Sequence, residues 1–242
     1  MAEALRAGRP LRKILVSRVA HGETVRQIIQ EARRRGIPVQ FVERSHFAGG
    51  LEAQGVLALA AARATVEIED VLAAAAARGE PPFVLVLDGV EDPANLGALI
   101  RTAEGAGVHG VIIPRHRAAG LTSAVARASA GAVEHLPVAA VTNLVRALEE
   151  LKRAGLWVVG ADMEAPRVYH EAHLLPPLAV VVGGEGRGLS RLVREHCDLL
   201  VRLPMRGRIA SLNVSVATGI VLYDIVRQIG GTSAGLGPSA GT

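Results

Sequence analysis

One cysteine, Cys197, occurs in the whole chain. An internal disulfide is therefore excluded, as is a cysteine-rich zinc site, and the thiol reads as buried or incidental. Aromatic residues make up only 2 % of the chain, against 50 % hydrophobic residues overall. The core must come from Val, Leu, Ile and Ala, a composition that suits buried parallel strands covered by Ala-rich helices. No apolar run approaches the roughly 18 residues of a membrane span, and the basic N-terminus lacks the apolar stretch of a signal peptide. A cytoplasmic protein with no membrane partner is expected. The eight histidines, at 21, 46, 109, 116, 135, 170, 173 and 196, are scattered and contain no H-E-x-x-H pattern, which predicts no metal.

What is present is unevenly distributed. A length of 242 residues allows a large α/β domain with a small companion. The formal charge is +4, but residues 1–50 carry ten Lys or Arg against four Glu, a net of +6 that leaves −2 on residues 51–242. A basic front end is compatible with a nucleic-acid partner, because neutralising phosphates releases counterions. A solvated helix face explains Arg33, Arg34 and Arg35 equally well.

Along the chain, Lys13–Val16 reads as a strand and Glu23–Arg35 as a helix with Val25, Ile28, Ile29 and Ala32 on one face, closed by Gly36. Alternation over Ile37–Val42 and the run Gly55–Leu59 give two more strand candidates. A small α/β domain over 1–64 is expected. Residues 65–81 are expected as a linker; its Ala-rich stretch, broken by Pro81 and Pro82, is alternatively a helix packed on the second domain. From Pro82 a βα rhythm begins. Strands are expected at Phe83–Leu87, Gly110–Ile113, Glu134–Val138, Trp157–Gly160, Leu178–Val182 and Leu199–Leu203. Helices are expected at Asn95–Gly105, Ser123–Ala130, Asn143–Arg153, Ser190–His196 and Leu212–Ile229. Such alternation implies an α/β domain over 82–230, with a mostly parallel sheet covered on both faces. Ligands of such sheets sit beyond the carboxyl ends of the strands. The tail, 231–242, is expected to be disordered.

Three strand-end segments carry polar chemistry. The first, Leu87 to Ala103, contains Asn95, a candidate helix cap, and Arg101 on the helix it begins. The second, Val182 to Ser190, is rich in glycine. It fits no dinucleotide fingerprint, since Leu189 stands at the third glycine position, and no Walker A loop, since Leu189 follows Gly188 where Lys is required. The third, Leu203 to Ile220, places Ser211 and Asn213 at a helix start.

Together the three segments closely resemble the motifs of the TrmH-type branch of the SPOUT RNA 2'-O-ribose methyltransferases. The matching motifs are D-P-x-N-x-G followed by R-T-A, then G-G-E-G-x-G-L, then P-M-x-G-x-x-x-S-L-N-V-S-V-A-x-G-I, over roughly residues 82–229. The front unit resembles, more loosely, the small RNA-binding domain of the 23S rRNA guanosine methyltransferases of that branch. The resemblance implies a C-terminal trefoil knot, an exception to unthreaded chains. It also implies S-adenosyl-L-methionine (SAM) as methyl donor, held at Gly183, Gly184, Leu203, Met205 and Leu212, largely by backbone groups. Active-site roles fall on Asn95, Arg101, Glu185, Ser211 and Asn213. A guanidinium keeps its proton in proteins, so Arg101 is expected to bind a phosphate and lower the hydroxyl pKa while Ser211 or water relays the proton. Further implications are a homodimer and a large-subunit rRNA substrate. A tRNA substrate, a non-catalytic RNA-binding protein of the same fold and, less compatibly, a nicotinamide-dependent dehydrogenase are the alternatives.

Overall fold

The computed structural model describes residues 2–47, 55–60 and 63–234. The chain divides between Arg63 and Ala64 into two units. In the first, strand β1 (Leu11–Ser17) lies between β2 (Val39–Val42), parallel to it, and β3 (Val56–Ala60), antiparallel to it. Helices α1 (Ala2–Arg6) and α2 (Glu23–Arg34) bring Leu5, Ile28 and Ala32 against Ile14 and Val16. Gly36 ends α2 at φ 67, and the Ile37 N–H donates to Ala32 O at 2.8 Å, the geometry that only a residue tolerant of the left-handed region closes cheaply. Part of the basic run pairs with itself: Glu31 accepts from Arg34 and Arg35, which together hold its carboxyl down at about 2.

The second unit is a seven-stranded sheet in which every pairing is parallel. Its strands are β4 (Phe83–Asp88), β5 (Gly110–Pro114), β6 (Val138–Val141), β7 (Trp157–Ala161), β8 (Arg167–Val168), β9 (Leu178–Gly183) and β10 (Leu199–Arg202). The spatial order is β6-β5-β4-β9-β7-β10-β8. Successive side chains of a strand point to opposite faces, and both faces are buried. Leu85 and Leu87 pack with Leu96, Leu99 and Ile100 of α4 (Pro93–Gly105) and with Val221, Leu222 and Ile225 of α8 (Val214–Ala234). Val84 and Val86 pack on the other side with Val71 of α3 (Ile68–Arg78), Leu148 and Leu151 of α6 (Leu144–Arg153) and Val193 of α7 (Arg191–Glu195). Among the described residues no helix is long and apolar enough to cross a membrane.

Several expected boundaries move, each for a local reason. Residues 65–81 are built into the second unit: Val66 N–H donates to Val138 O at 3.0 Å, and Val71 is fully buried. Val71 fills the space beside Gly110, where an added Cβ would lie 2.5 Å from Val71 Cγ1. Helix α3 therefore packs as a layer of the domain. The strand expected at 134–138 lies instead at 138–141, because Ala132–Glu134 closes a short 3-10 turn that buries Val133. The last helix starts at Val214 and continues through residues 231–234; the rest of the expected tail, 235–242, lies outside the described residues. Burial pushes the lone Cys197 thiol up to about 12, which fits the inert reading made from composition.

Helix α4 lies unusually close to α5 (Ser123–Ala128): a methyl group on Gly97 would fall 2.3 Å from Ala128 Cβ and 2.9 Å from Ser129 N. The second neighbour is backbone and cannot step aside. Gly97→Ala is therefore expected to destabilise the protein by about 1–3 kcal/mol, read as a lower melting temperature; an unchanged or higher value would show that this approach is loose.

Candidate active site

The site begins with two strands that are distant in sequence and adjacent in space. β4 and β9 pair in register from Phe83↔Leu178 to Asp88↔Gly183, so the loops at their carboxyl ends leave the sheet side by side. Their backbones nearly touch. A Cβ on Gly184 would sit 2.2 Å from Gly89 O, and one on Gly183 would sit 2.0 Å from Gly188 C. Gly184 N–H donates to Asp88 O at 2.8 Å, Gly188 N–H to Gly184 O at 3.1 Å, and Ser190 N–H to Asp88 Oδ2 at 2.7 Å. Gly186 and Gly188 take φ of 79 and 63 to close the turn. The glycine-rich segment is thus a folded turn packed on its neighbour, and it carries Glu185 at its outer edge.

Helix α4 supplies the second element. Its N-cap is Asp92, whose carboxylate accepts from Ala94 N and Asn95 N, both at 3.2 Å, with Pro93 at the first helical position. The expected cap, Asn95, sits further in and is 9 % exposed. An Asp–Pro start satisfies the helix end better than the Asn would, and this leaves the Asn95 side chain available to reach elsewhere.

It reaches the third element. Asn213 caps α8, its Oδ1 accepting from Ser215 N at 2.9 Å and from the Ser215 hydroxyl. Its Nδ2 donates both to Asn95 Oδ1, at 2.9 Å, and to Glu185 Oε1, at 2.8 Å. One carboxamide joins the three segments, using both of its donors and its acceptor oxygen.

Asn95, Gly184 and Glu185 line a cleft of about 450 Å³ together with Asp88, Gly89, Val90, Glu91, Asp92, Arg117, Arg187, Gly188, Ser190 and Val214. The other expected site residues are not on its walls. Gly183 is the last residue of β9. Arg101 is exposed on α4 and, among the described residues, its side chain makes no hydrogen bond or ion pair. Leu203, Met205, Ser211 and Leu212 lie on the segment between β10 and α8. Among the described residues, positions 205–212 make no hydrogen bond of their own, and Met205, Ile209 and Leu212 expose 37 %, 74 % and 40 % of their surface. Open backbone donors and acceptors beside uncovered apolar side chains suit a ligand with a purine edge and an aliphatic arm. On the cleft wall four carboxylates, Asp88, Glu91, Asp92 and Glu185, outnumber two guanidiniums, Arg117 and Arg187, an environment that favours a sulfonium cation. The residues present therefore fit SAM. Sequence reasoning missed Asp88, Asp92, Arg117 and Ser190. The Asp–Pro dipeptide signalled the Asp92 cap, but nothing in the sequence signalled the backbone of Arg117, which holds φ at 58.

Asn213→Asp would set a second carboxylate against Glu185. Like charges raise the folded-state pKa values of such a pair above their unfolded values, so the destabilisation is present above the carboxylate range and disappears as pH falls through it. The melting-temperature deficit of this variant should be clearly larger at about pH 7 than at about pH 4; a deficit independent of pH would rule out the Asn213–Glu185 contact.

Comparison with known proteins identifies this geometry. Residues 82–223 match the model of the SpoU rRNA methylase family, and residues 2–66 match that of an RNA 2'-O-ribose methyltransferase substrate-binding domain. YacO of Bacillus subtilis (strain 168), assigned to the TrmH family of tRNA/rRNA methyltransferases, is 45 % identical over 228 residues, 93 % of this chain and 92 % of that protein. A TrmH-family relative from Staphylococcus saprophyticus is 41 % identical over the same shares. Among solved structures, the SpoU methyltransferase AviRb from Streptomyces viridochromogenes, in complex with AdoMet, superposes with a TM-score of 0.81 at 25 % identity, covering 95 % of this chain and 87 % of that one. An RNA 2'-O-ribose methyltransferase superposes at 0.74 with 29 % identity, over 94 % and 85 %. The strand-end motifs, the parallel sheet and the convergence of Asn95, Glu185 and Asn213 thus have one account: the chain belongs to the SpoU/TrmH family of RNA methyltransferases.

Proposed function

We propose that the protein is a cytoplasmic homodimer that transfers the methyl group of SAM to the ribose 2'-hydroxyl of a guanosine in 23S rRNA, with its C-terminal segment threaded into a trefoil knot. The observation that carries this reading is the Asn213 carboxamide, which draws three family motifs to one acidic cleft at the carboxyl ends of β4 and β9. The substrate-binding match over residues 2–66 supports RNA as substrate. Homodimer formation is supported by an outward stripe on α8, where Val216, Ile220 and Tyr223 are exposed at helical spacing.

The cofactor supplies an electrophilic methyl on a sulfonium. The chain must hold the ribose oxygen in line with it and assist loss of the hydroxyl proton. The backbone at Gly183 and Gly184 and the segment through Leu203, Met205 and Leu212 hold the donor. Asn95, Glu185 and Asn213 lock the loops on either side. Arg101 takes a substrate phosphate in a two-pronged contact and lowers the pKa of the hydroxyl, and Ser211 or water relays the proton to bulk solvent.

Labelled SAM incubated with total RNA, with and without the protein, then mapped by nucleoside, is expected to show 2'-O-methylguanosine in 23S rRNA. Label confined to tRNA would move the substrate, and label in neither RNA would sink the enzymatic reading. Arg101→Lys is expected to lose turnover by at least about tenfold with SAM affinity unchanged, because an ammonium cannot make the two-pronged contact; near-normal turnover would remove Arg101 from that role.

A further inference from the structure

We propose that Arg117, on the loop between β5 and α5, is a phosphate-binding residue for the substrate RNA at the cleft, an inference that rests on the RNA-methyltransferase reading. The loop is fixed at both ends. Arg115 N–H donates to Val141 O at 2.8 Å and its Nε to Ala140 O at 3.0 Å, while Ala119 N–H donates to Val90 O at 3.0 Å. Between these anchors Arg117 holds a φ of 58, a region that an L-residue with a long side chain rarely adopts.

Only one other non-glycine among the described residues does the same, and the comparison is informative. Ala130 has φ 52 where α5 ends; Ala130 N–H donates to Arg127 O and Gly131 N–H to Ala126 O. Its backbone thus closes a helix. Arg117 closes nothing: among the described residues, positions 116–118 make no backbone hydrogen bond. Strain with no local return points to the side chain that it aims, and Arg117 is part of the cleft lining.

The chemistry of the cleft then selects the ligand. Arg117 makes no hydrogen bond or ion pair among the described residues. Three of the four cleft carboxylates are engaged by the protein itself: Asp88 by Ser190 N, Asp92 by the start of α4, and Glu185 by Asn213. A polyanion approaching this acidic wall needs a cation at the point of entry. A guanidinium with five donors in a planar fork is shaped for a phosphodiester. The carboxylate of SAM is the competing anion, and separate titrations of RNA and SAM distinguish the two.

The full-length protein and its Arg117→Ala and Arg117→Gly variants should be compared for affinity to protein-free 23S rRNA and to bulk tRNA between about 50 and 200 mM salt, for SAM affinity, for methyl transfer and for melting temperature. Glycine relieves the left-handed backbone while deleting the guanidinium. Arg117→Gly is therefore expected to melt at or above the wild-type temperature, to bind the substrate RNA about tenfold more weakly, and to lower the salt-dependence slope by about one, with SAM affinity unchanged. RNA affinity and slope equal to wild type overturn the proposal, as does a loss confined to SAM. If the wild type transfers no methyl to either RNA, yet the variants still lose RNA affinity and slope, the enzymatic reading fails and the Arg117 contact stands. Normal wild-type transfer with unaltered RNA binding in both variants sinks the Arg117 contact alone. A wild type that binds neither RNA overturns both.

Discussion

The pairing of β4 with β9 sets the position of the candidate site. The strands are almost a hundred residues apart in sequence, yet they run in register at the centre of the sheet. Close approach of the two exit loops results from that register, and it excludes side chains at Gly183 and Gly184, where any Cβ would collide with backbone. The glycine-rich motif is therefore first a packing requirement between two loops. Its chemical consequence is indirect: a turn this tightly bound presents Glu185 at a defined point beside α4, within reach of Asn213. Parallel sheets place ligands beyond the carboxyl ends of their strands, and here the seam between two non-consecutive strands locates that place.

On the proposed reading, the cleft asks for opposite things from its two ligands. A sulfonium is favoured by the carboxylates of Asp88, Glu91, Asp92 and Glu185, while an RNA backbone is repelled by them. The protein reduces the conflict by committing most of these carboxylates to its own N–H groups, which disperses their charge over helix ends and turns. Cations stand at only two places on the wall, Arg117 and Arg187. On that reading, a small cationic donor and a large anionic acceptor are told apart on one surface by spacing the signs.

Much of the fold and of the site is legible in the sequence, and the misses have physical causes. The βα rhythm can be read because strands buried on both faces are continuous apolar runs bounded by Gly, Pro and polar caps. Asn95, Glu185 and Asn213 can be selected because they sit in recognisable strand-end motifs. Their hydrogen bonds cannot, since a contact between Asn95 and Asn213 depends on how two helices are placed. Asn95 reads as a cap because a polar residue at a helix start usually is one; the Asp92-Pro93 pair just before it is the better signal. Segment 65–81 is ambiguous because its alanines suit either an exposed connector or a buried helix, and the choice is made by tertiary contacts such as Val71 seated beside Gly110. The conformation of Arg117 is invisible to any pattern, being imposed by anchors on two other elements.

The distance along the chain between Asn95 and Asn213 has a consequence for the timing of synthesis. During translation the first corner of the site emerges 118 residues before the third. The β4–β9 pair can be in place while the amide that joins its exit loops to α8 is still inside the ribosome. The three-way contact therefore forms as a late, single event, when α8 docks, and partly made chains hold the motifs without it.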